Sequence, residues 1–61
     1  MNAATETVLA ANITLALENL EQAASYLRLS ATLTGDEAVD LRRLAAKIGA
    51  EAAKELAALA R

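Results

Sequence analysis

Few side chains in this sequence have the chemistry that catalysis needs, and their spacing does not bring them together. The hydroxyl groups of Ser25, Ser30 and the threonines are the main candidate nucleophiles, because the chain contains no cysteine. A hydroxyl nucleophile needs an adjacent base. The chain has no histidine, and no lysine shares a helical face with either serine. Nucleophilic catalysis is therefore not expected.

Two pairs of carboxylates have helical spacing, Glu18 with Glu21 and Glu51 with Glu55. Each pair lies on a polar arc or at the edge of an apolar stripe, which does not favour proton-transfer chemistry. The absence of histidine and cysteine removes the commonest ligands for transition metals. The two glycines, Gly35 and Gly49, are too far apart to form a phosphate-binding loop. The sequence predicts no catalytic residue, metal site or cofactor, and the protein is not expected to be an enzyme.

A ridge of basic side chains is the remaining charged feature. We call it the basic ridge, and its members are Arg42, Arg43, Lys47, Lys54 and Arg61. Such a ridge can bind nucleic acid or an acidic partner. It can equally be a solvated face with local ion pairs, since acidic residues lie three or four positions from most of these bases. The net charge of −2 and the lack of an aromatic residue beside the ridge favour the solvated face, so nucleic-acid binding is not expected.

Helical periodicity dominates the rest of the chain. Apolar residues separated by alternating steps of four and three positions fall on one side of a helix. The first such stripe is Leu9, Ile13, Ala16, Leu20, Ala23 and Leu27, and the second is Leu41, Leu44, Ile48, Ala52, Leu56 and Leu59. With seventeen alanines and no proline, the sequence predicts a single all-α domain over residues 1–61. We expect an antiparallel hairpin with helices over about residues 4–32 and 36–60 and a turn over 33–35, the first helix starting between Asn2 and Thr5.

Two interpretations of the turn are open. Thr34 and Glu37 match the capping-box pattern, in which each side chain bonds the backbone N–H group of the other residue. In the alternative, Gly35 ends the first helix in a left-handed conformation and Asp36 caps the second. Both give a short connection, which makes neighbouring helices antiparallel.

The first helix has more apolar surface than one neighbouring helix can cover. A second line of apolar residues, Val8, Leu15, Tyr26 and Leu29, lies away from the main stripe and is a candidate second interface. Tyr26 can be either an interface residue or a core residue whose hydroxyl reaches water. On the second helix Ala45, Gly49 and Ala53 form a ridge of small residues, which predicts a close helix contact that offsets the cost of an internal glycine.

The length of the chain points to association. A chain of 61 residues buries too little surface to be very stable alone, and without cysteine or histidine it lacks disulfides and the usual metal ligands. We therefore expect two copies to pack their apolar faces together as a four-helix bundle, with the two stripes as the core of the hairpin and the oligomer. Another protein is a possible further partner.

The stretch Leu33-Thr34-Gly35-Asp36-Glu37-Ala38-Val39-Asp40-Leu41 resembles the bend of the repressor-of-primer family. Members of that family are helical hairpins that dimerise into four-helix bundles and bind paired RNA loops of plasmids. The resemblance covers nine residues and implies a dimeric hairpin and an RNA-binding regulator. The RNA-binding face of the family lies on the first helix and uses basic and aromatic side chains, whereas the first helix here is acidic and has one arginine, Arg28.

The sequence thus predicts a small homo-oligomeric protein-interaction module of the adaptor, inhibitor or regulator type. The alternative is an RNA- or DNA-binding regulator of repressor-of-primer-like architecture that uses the basic ridge. No basic region precedes an apolar run, and no stretch of about 20 apolar residues occurs. A cytoplasmic protein without membrane contact is expected, and the small size and alanine content favour a bacterial origin.

Overall fold

A computed structural model describes residues 3–61 as two helices packed side by side in a hairpin. Helix α1 spans Ala3–Ser30 and helix α2 spans Gly35–Leu59. The predicted all-α hairpin is confirmed. Helix α1 ends two residues before the predicted position, and Asn2, one of the predicted start positions, lies outside the described residues.

The helices meet along a line of small side chains, which we call the alanine seam. Its members recur every seven residues on each helix and are at most 9% exposed: Ala16, Ala23 and Ser30 on α1, and Ala38, Ala45 and Ala52 on α2. A strict seven-residue repeat is typical of helices that wind around each other in a left-handed supercoil. The apolar stripe of the second helix drifts from this spacing in the sequence, but its buried residues keep it.

Because the seam is made of small side chains, the large apolar side chains lie beside the contact between the helices and not within it. The five alanines and one serine of the seam let two helices approach closely, and a leucine in place of one of them would overpack the contact. No large side chain of residues 3–61 is fully buried. Of the predicted core residues, three alanines lie in the seam, Leu41, Ile48 and Leu59 are half-buried, and the rest are exposed. That those exposed residues form the core of an oligomer stays a prediction.

Ser30 is the one polar member of the alanine seam, and its hydrogen bonds explain how it is tolerated there. It is 2% exposed. Its hydroxyl donates to the carbonyl oxygen of Leu27 at 2.7 Å and accepts from Nε of Arg42 at 3.3 Å. Every buried side-chain nitrogen or oxygen in the described part of the chain has a partner. Ser30 therefore joins the end of α1 to the start of α2 without leaving a buried polar group unpaired.

The bend combines features of both predicted turns. Thr34 is the N-cap of α2 with an extended backbone, as the first interpretation predicted, but its side chain makes no capping hydrogen bond. The predicted capping box is therefore wrong. Gly35 has a φ of 67°, the left-handed conformation of the alternative interpretation. A left-handed residue directly after the cap turns the chain, so that the Thr34 hydroxyl does not reach the amide of Glu37.

The hairpin is a thin rod. Its Cα atoms extend over 50 × 15 × 11 Å, with a radius of gyration of 14.6 Å. A compact domain of this length would have a radius of gyration of roughly 10–11 Å. Most domains pack at least two layers of secondary structure around a core. The two helices of this chain form a single layer.

Replacing Gly35 should test the bend. We expect Gly35→Ala to lower the free energy of unfolding by about 1–2 kcal/mol, because a side chain at positive φ is strained. Gly35→Asn is the matched control and should cost less, since asparagine tolerates this conformation. Urea unfolding followed by circular dichroism measures both, and equal stability of the alanine variant and the wild type would contradict a left-handed Gly35.

Enlarging a seam residue should test the close helix packing. Ala45 is 3% exposed in the alanine seam, whereas Ala50 is exposed on the outer side of the same helix. We expect Ala45→Leu to destabilise the protein by about 1–3 kcal/mol through overpacking. Ala50→Leu should change the stability by less than about 0.5 kcal/mol. Equal effects of the two substitutions on the urea midpoint would show that Ala45 does not lie between the helices.

Candidate interaction surface

The alanine seam divides the surface of the hairpin into two open faces and an outer side. On both helices, residues one and four positions after a seam residue lie on one open face, because the helices run antiparallel. Residues three positions after and one position before a seam residue lie on the other face. The remaining positions point away from the neighbouring helix.

The first open face, which we call the leucine face, is almost wholly apolar. Its large side chains are Ile13, Leu17, Leu20, Leu27, Val39 and Leu56. These are 40–53% exposed. Between them lie small residues, Ala10, Ala24, Ala46, Gly49 and Ala53. The charged residues at its positions are Glu6, near the open end of the hairpin, and Arg42, near the bend.

The second open face, which we call the mixed face, combines apolar and polar side chains. Its exposed apolar residues are Val8, Leu15, Leu29 and Leu44, and its half-buried ones are Tyr26, Leu33, Leu41 and Ile48. Its polar residues are Thr5, Asn12, Asn19, Gln22, Glu37, Glu51 and Glu55. Nδ2 of Asn19 donates to Oε1 of Glu55 at 2.7 Å across the helix pair. This bond confirms that the two helices share this face.

All four residues predicted as a second interface lie on the mixed face. Val8, Leu15 and Leu29 are 48–60% exposed, and Tyr26 is half-buried. At the open end of the hairpin, Leu9 and Leu59 continue the seven-residue repeats of the seam. Together with Asn12, Leu15, Glu55, Ala58 and Arg61 they line a shallow groove of about 360 Å³ beside the mixed face. The groove holds the carboxylate of Glu55 and the guanidinium group of Arg61 but no hydroxyl or thiol side chain, so its lining does not provide a nucleophile with an adjacent base.

The predicted ridge of Ala45, Gly49 and Ala53 does not form a close contact within the hairpin. Ala45 lies in the alanine seam, but a Cβ atom on Gly49 would meet no atom within 4 Å, and Ala53 is exposed. The prediction is therefore wrong for the helix pair. The physical reason is the register, since Gly49 lies four positions after a seam residue and thus on the leucine face.

The basic ridge is interrupted by acidic neighbours. Arg43 pairs with Asp40 at 3.8 Å, and Lys54 pairs with Glu51 at 3.5 Å, both on the solvent-exposed surface. Arg42 lies on the leucine face rather than on the outer side of α2. From there its guanidinium group donates a hydrogen bond to Ser30 in the seam. Lys47 is exposed on the outer side of α2, and Arg61 follows the end of α2 and lines the groove at the open end of the hairpin. The ridge is thus a line of separated cations rather than a concentrated positive patch.

Sequence reasoning missed Ser30 and Ala38 as buried residues and did not foresee the Asn19–Glu55 bond. The sequence does contain a signal for Ser30 and Ala38. Small residues recur every seven positions from Ala16 to Ser30 on the first helix and from Ala38 to Ala52 on the second. The larger apolar residues at other positions give a stronger periodic pattern and obscure this repeat. The bond between Asn19 and Glu55 depends on the register of the two helices, which the sequence pattern of one helix does not give.

Within residues 3–61, the structure shows no cluster of three or more metal-binding side chains. Neither of the two described helices combines the length and apolarity that a membrane crossing requires. In comparisons with protein-family models, curated proteins and solved structures, no match to the chain was found.

The exposed ion pairs lead to a prediction about nucleic acid. We expect no mobility shift of duplex DNA or structured RNA at low salt, because the acids beside Arg43 and Lys54 oppose the attraction to phosphate and the net charge is −2. The control is Glu51→Lys with Asp40→Lys, which makes this side basic and should bind. A wild-type shift that weakens steeply with added salt would contradict this prediction.

Proposed function

We propose that this chain is a small, non-enzymatic protein-interaction module that works as a homodimer. A second copy covers the leucine face, and the two hairpins form an antiparallel four-helix bundle. The observation that supports this proposal most directly is the amount of surface that the single hairpin leaves exposed.

The hairpin has an accessible surface of 4569 Å² for a mass of 6.3 kDa. A folded monomer of that mass would have roughly 3,700 Å². The excess is about 800 Å², which is the share that each partner contributes to a standard protein–protein interface. The hairpin therefore exposes enough extra surface for one standard interface with a second copy.

The leucine face is the better of the two faces for this contact. Burying the remaining exposed half of a leucine such as Leu17 or Leu20 is worth about 1 kcal/mol. The mixed face would instead require Gln22, Glu51 and the Asn19–Glu55 pair to lose water. Removing such groups from water without new partners costs more than the apolar contacts gain.

In this bundle the mixed face lies on the outside. Val8, Leu15 and Leu29 then remain available to a different protein, with the polar residues of the same face around them. Apolar side chains with a polar rim are typical of binding sites between proteins. An adaptor, inhibitor or regulator would use this outer face to bind its target.

A pair of matched substitutions tests the proposal. Leu20 on the leucine face is 40% exposed and Leu15 on the mixed face is 48% exposed, and both lie in the middle of α1. We expect the wild type to sediment at twice the 6.3 kDa chain mass. Leu20→Asp should dissociate it, because a charge cannot be buried unpaired in a bundle core. Leu15→Asp should leave the mass unchanged.

A wild type that sediments as a monomer with full helicity would contradict the proposed dimer. Dissociation by Leu15→Asp with no effect of Leu20→Asp would place the contact on the mixed face and contradict the leucine face as the interface. Circular dichroism of both variants separates lost association from lost folding.

A further inference from the structure

We propose that the two hairpins of the dimer lie with their bends at opposite ends, and that Glu6 of each copy meets Arg42 of the second copy. This inference rests on the proposed dimer and adds its orientation. It follows from the positions of these two charges on the leucine face and from the distribution of large and small residues along it.

The two charges are placed symmetrically about the middle of the hairpin. We infer the register from the short bend between Ser30 and Gly35. When the seam residues nearest the bend, Ser30 and Ala38, are paired, Ala16 lies opposite Ala52 and Ala23 opposite Ala45. Arg42 then lies level with residue 26 of α1. Glu6 lies ten residues before Ala16, and the level of Arg42 lies ten residues after it. Ala16 is close to the middle of the helix Ala3–Ser30. A second copy that is turned end over end about Ala16 therefore overlaps the first along almost all of helix α1, and it brings Arg42 to the level of Glu6.

The alternative orientation brings like charges together. If both bends lay at the same end, each residue would share its level with the same residue of the second copy. Glu6 would face Glu6 and Arg42 would face Arg42 at the inner side of the bundle. Like charges in a contact cost several kcal/mol, whereas opposite charges fix the orientation of partners.

The volumes of the inner residues favour the same orientation. Ile13 and Leu56 lie at one level of the leucine face, and Leu20 and Gly49 lie at the next level towards the bend. With opposite bends, each of these two core layers contains Ile13 and Leu56 of one copy with Leu20 and Gly49 of the other. With bends together, one layer would hold four large side chains and the next would hold two leucines and two glycines. Even layers pack without strain or cavities.

This arrangement also gives Gly49 a role that the single hairpin lacks. A Cβ atom on Gly49 would meet open space in the isolated hairpin, and an internal glycine costs about 1 kcal/mol relative to alanine. In the core layer of the proposed dimer, the missing side chain makes room for the three large residues that share its level.

The distance between the two bends tests the orientation directly. The chain has no cysteine, so Asp36→Cys places a single spin label at the exposed bend of each copy. With bends at opposite ends, each label lies about 16 residues from the level of Ala16. A helix rise of about 1.5 Å per residue then gives a label separation of about 45–50 Å. Bends together give less than about 30 Å, since neighbouring helix axes are roughly 8–10 Å apart. Pulsed dipolar spectroscopy on the full chain measures this separation.

The outcomes separate the orientation from the dimer itself. A distance near 45–50 Å supports opposite bends. A short distance in a protein that sediments as a dimer overturns the orientation and leaves the proposed function in place. Absence of any dipolar interaction, together with sedimentation as a monomer, overturns both.

Charge reversal gives an independent test. Either Glu6→Arg or Arg42→Glu alone should weaken the dimer about tenfold or more, and the double variant should recover most of the affinity. Arg43→Glu on the outer side is the matched control and should leave the dissociation constant unchanged. Additive losses in the double variant, measured by sedimentation equilibrium, would overturn the contact between Glu6 and Arg42.

Discussion

The close packing of two helices through the alanine seam is the constraint on which the rest of this structure depends. Small residues recur every seven positions on both helices, and the one polar member, Ser30, is satisfied by Leu27 and Arg42. A seam of alanines buries little apolar surface per residue, because the burial free energy scales with apolar area. The contact therefore determines the register of the hairpin more than it stabilises it.

The same constraint explains the surface. Since the seam itself holds only small residues, most leucine and isoleucine side chains project from its two sides, and eleven large apolar residues of the described chain remain exposed. They are not spread evenly, because the leucine face is interrupted only near its ends and the mixed face contains the Asn19–Glu55 bond. The hairpin is a single layer of two helices, and in the proposed dimer a second copy provides the second layer. In that dimer the large apolar residues would provide the stability that the alanines do not.

The sequence was sufficient for the helices and the bend but not for the choice of buried residues. Periodicity and alanine content predicted both helices, and Thr34 was correctly predicted as the N-cap, although its capping bond is absent. The sequence pattern predicts one contact surface that contains Leu9, Ile13, Ala16, Leu20 and Ala23. In the structure it is split, because Ala16 and Ala23 face α2 whereas Ile13 and Leu20 face outwards. Apolar spacing identifies a side of a helix, but side-chain size decides which part of that side a close partner can cover.

The most direct test of this account is the concentration dependence of thermal unfolding, followed by circular dichroism from nanomolar to millimolar protein. If association of the leucine faces supplies much of the folding free energy, the midpoint should rise steadily with protein concentration, and dilution should abolish the helical signal as the dimer dissociates. A midpoint that stays constant over this range, in a helical chain of 6.3 kDa that melts cooperatively, would show that the single hairpin is stable alone and would contradict the account.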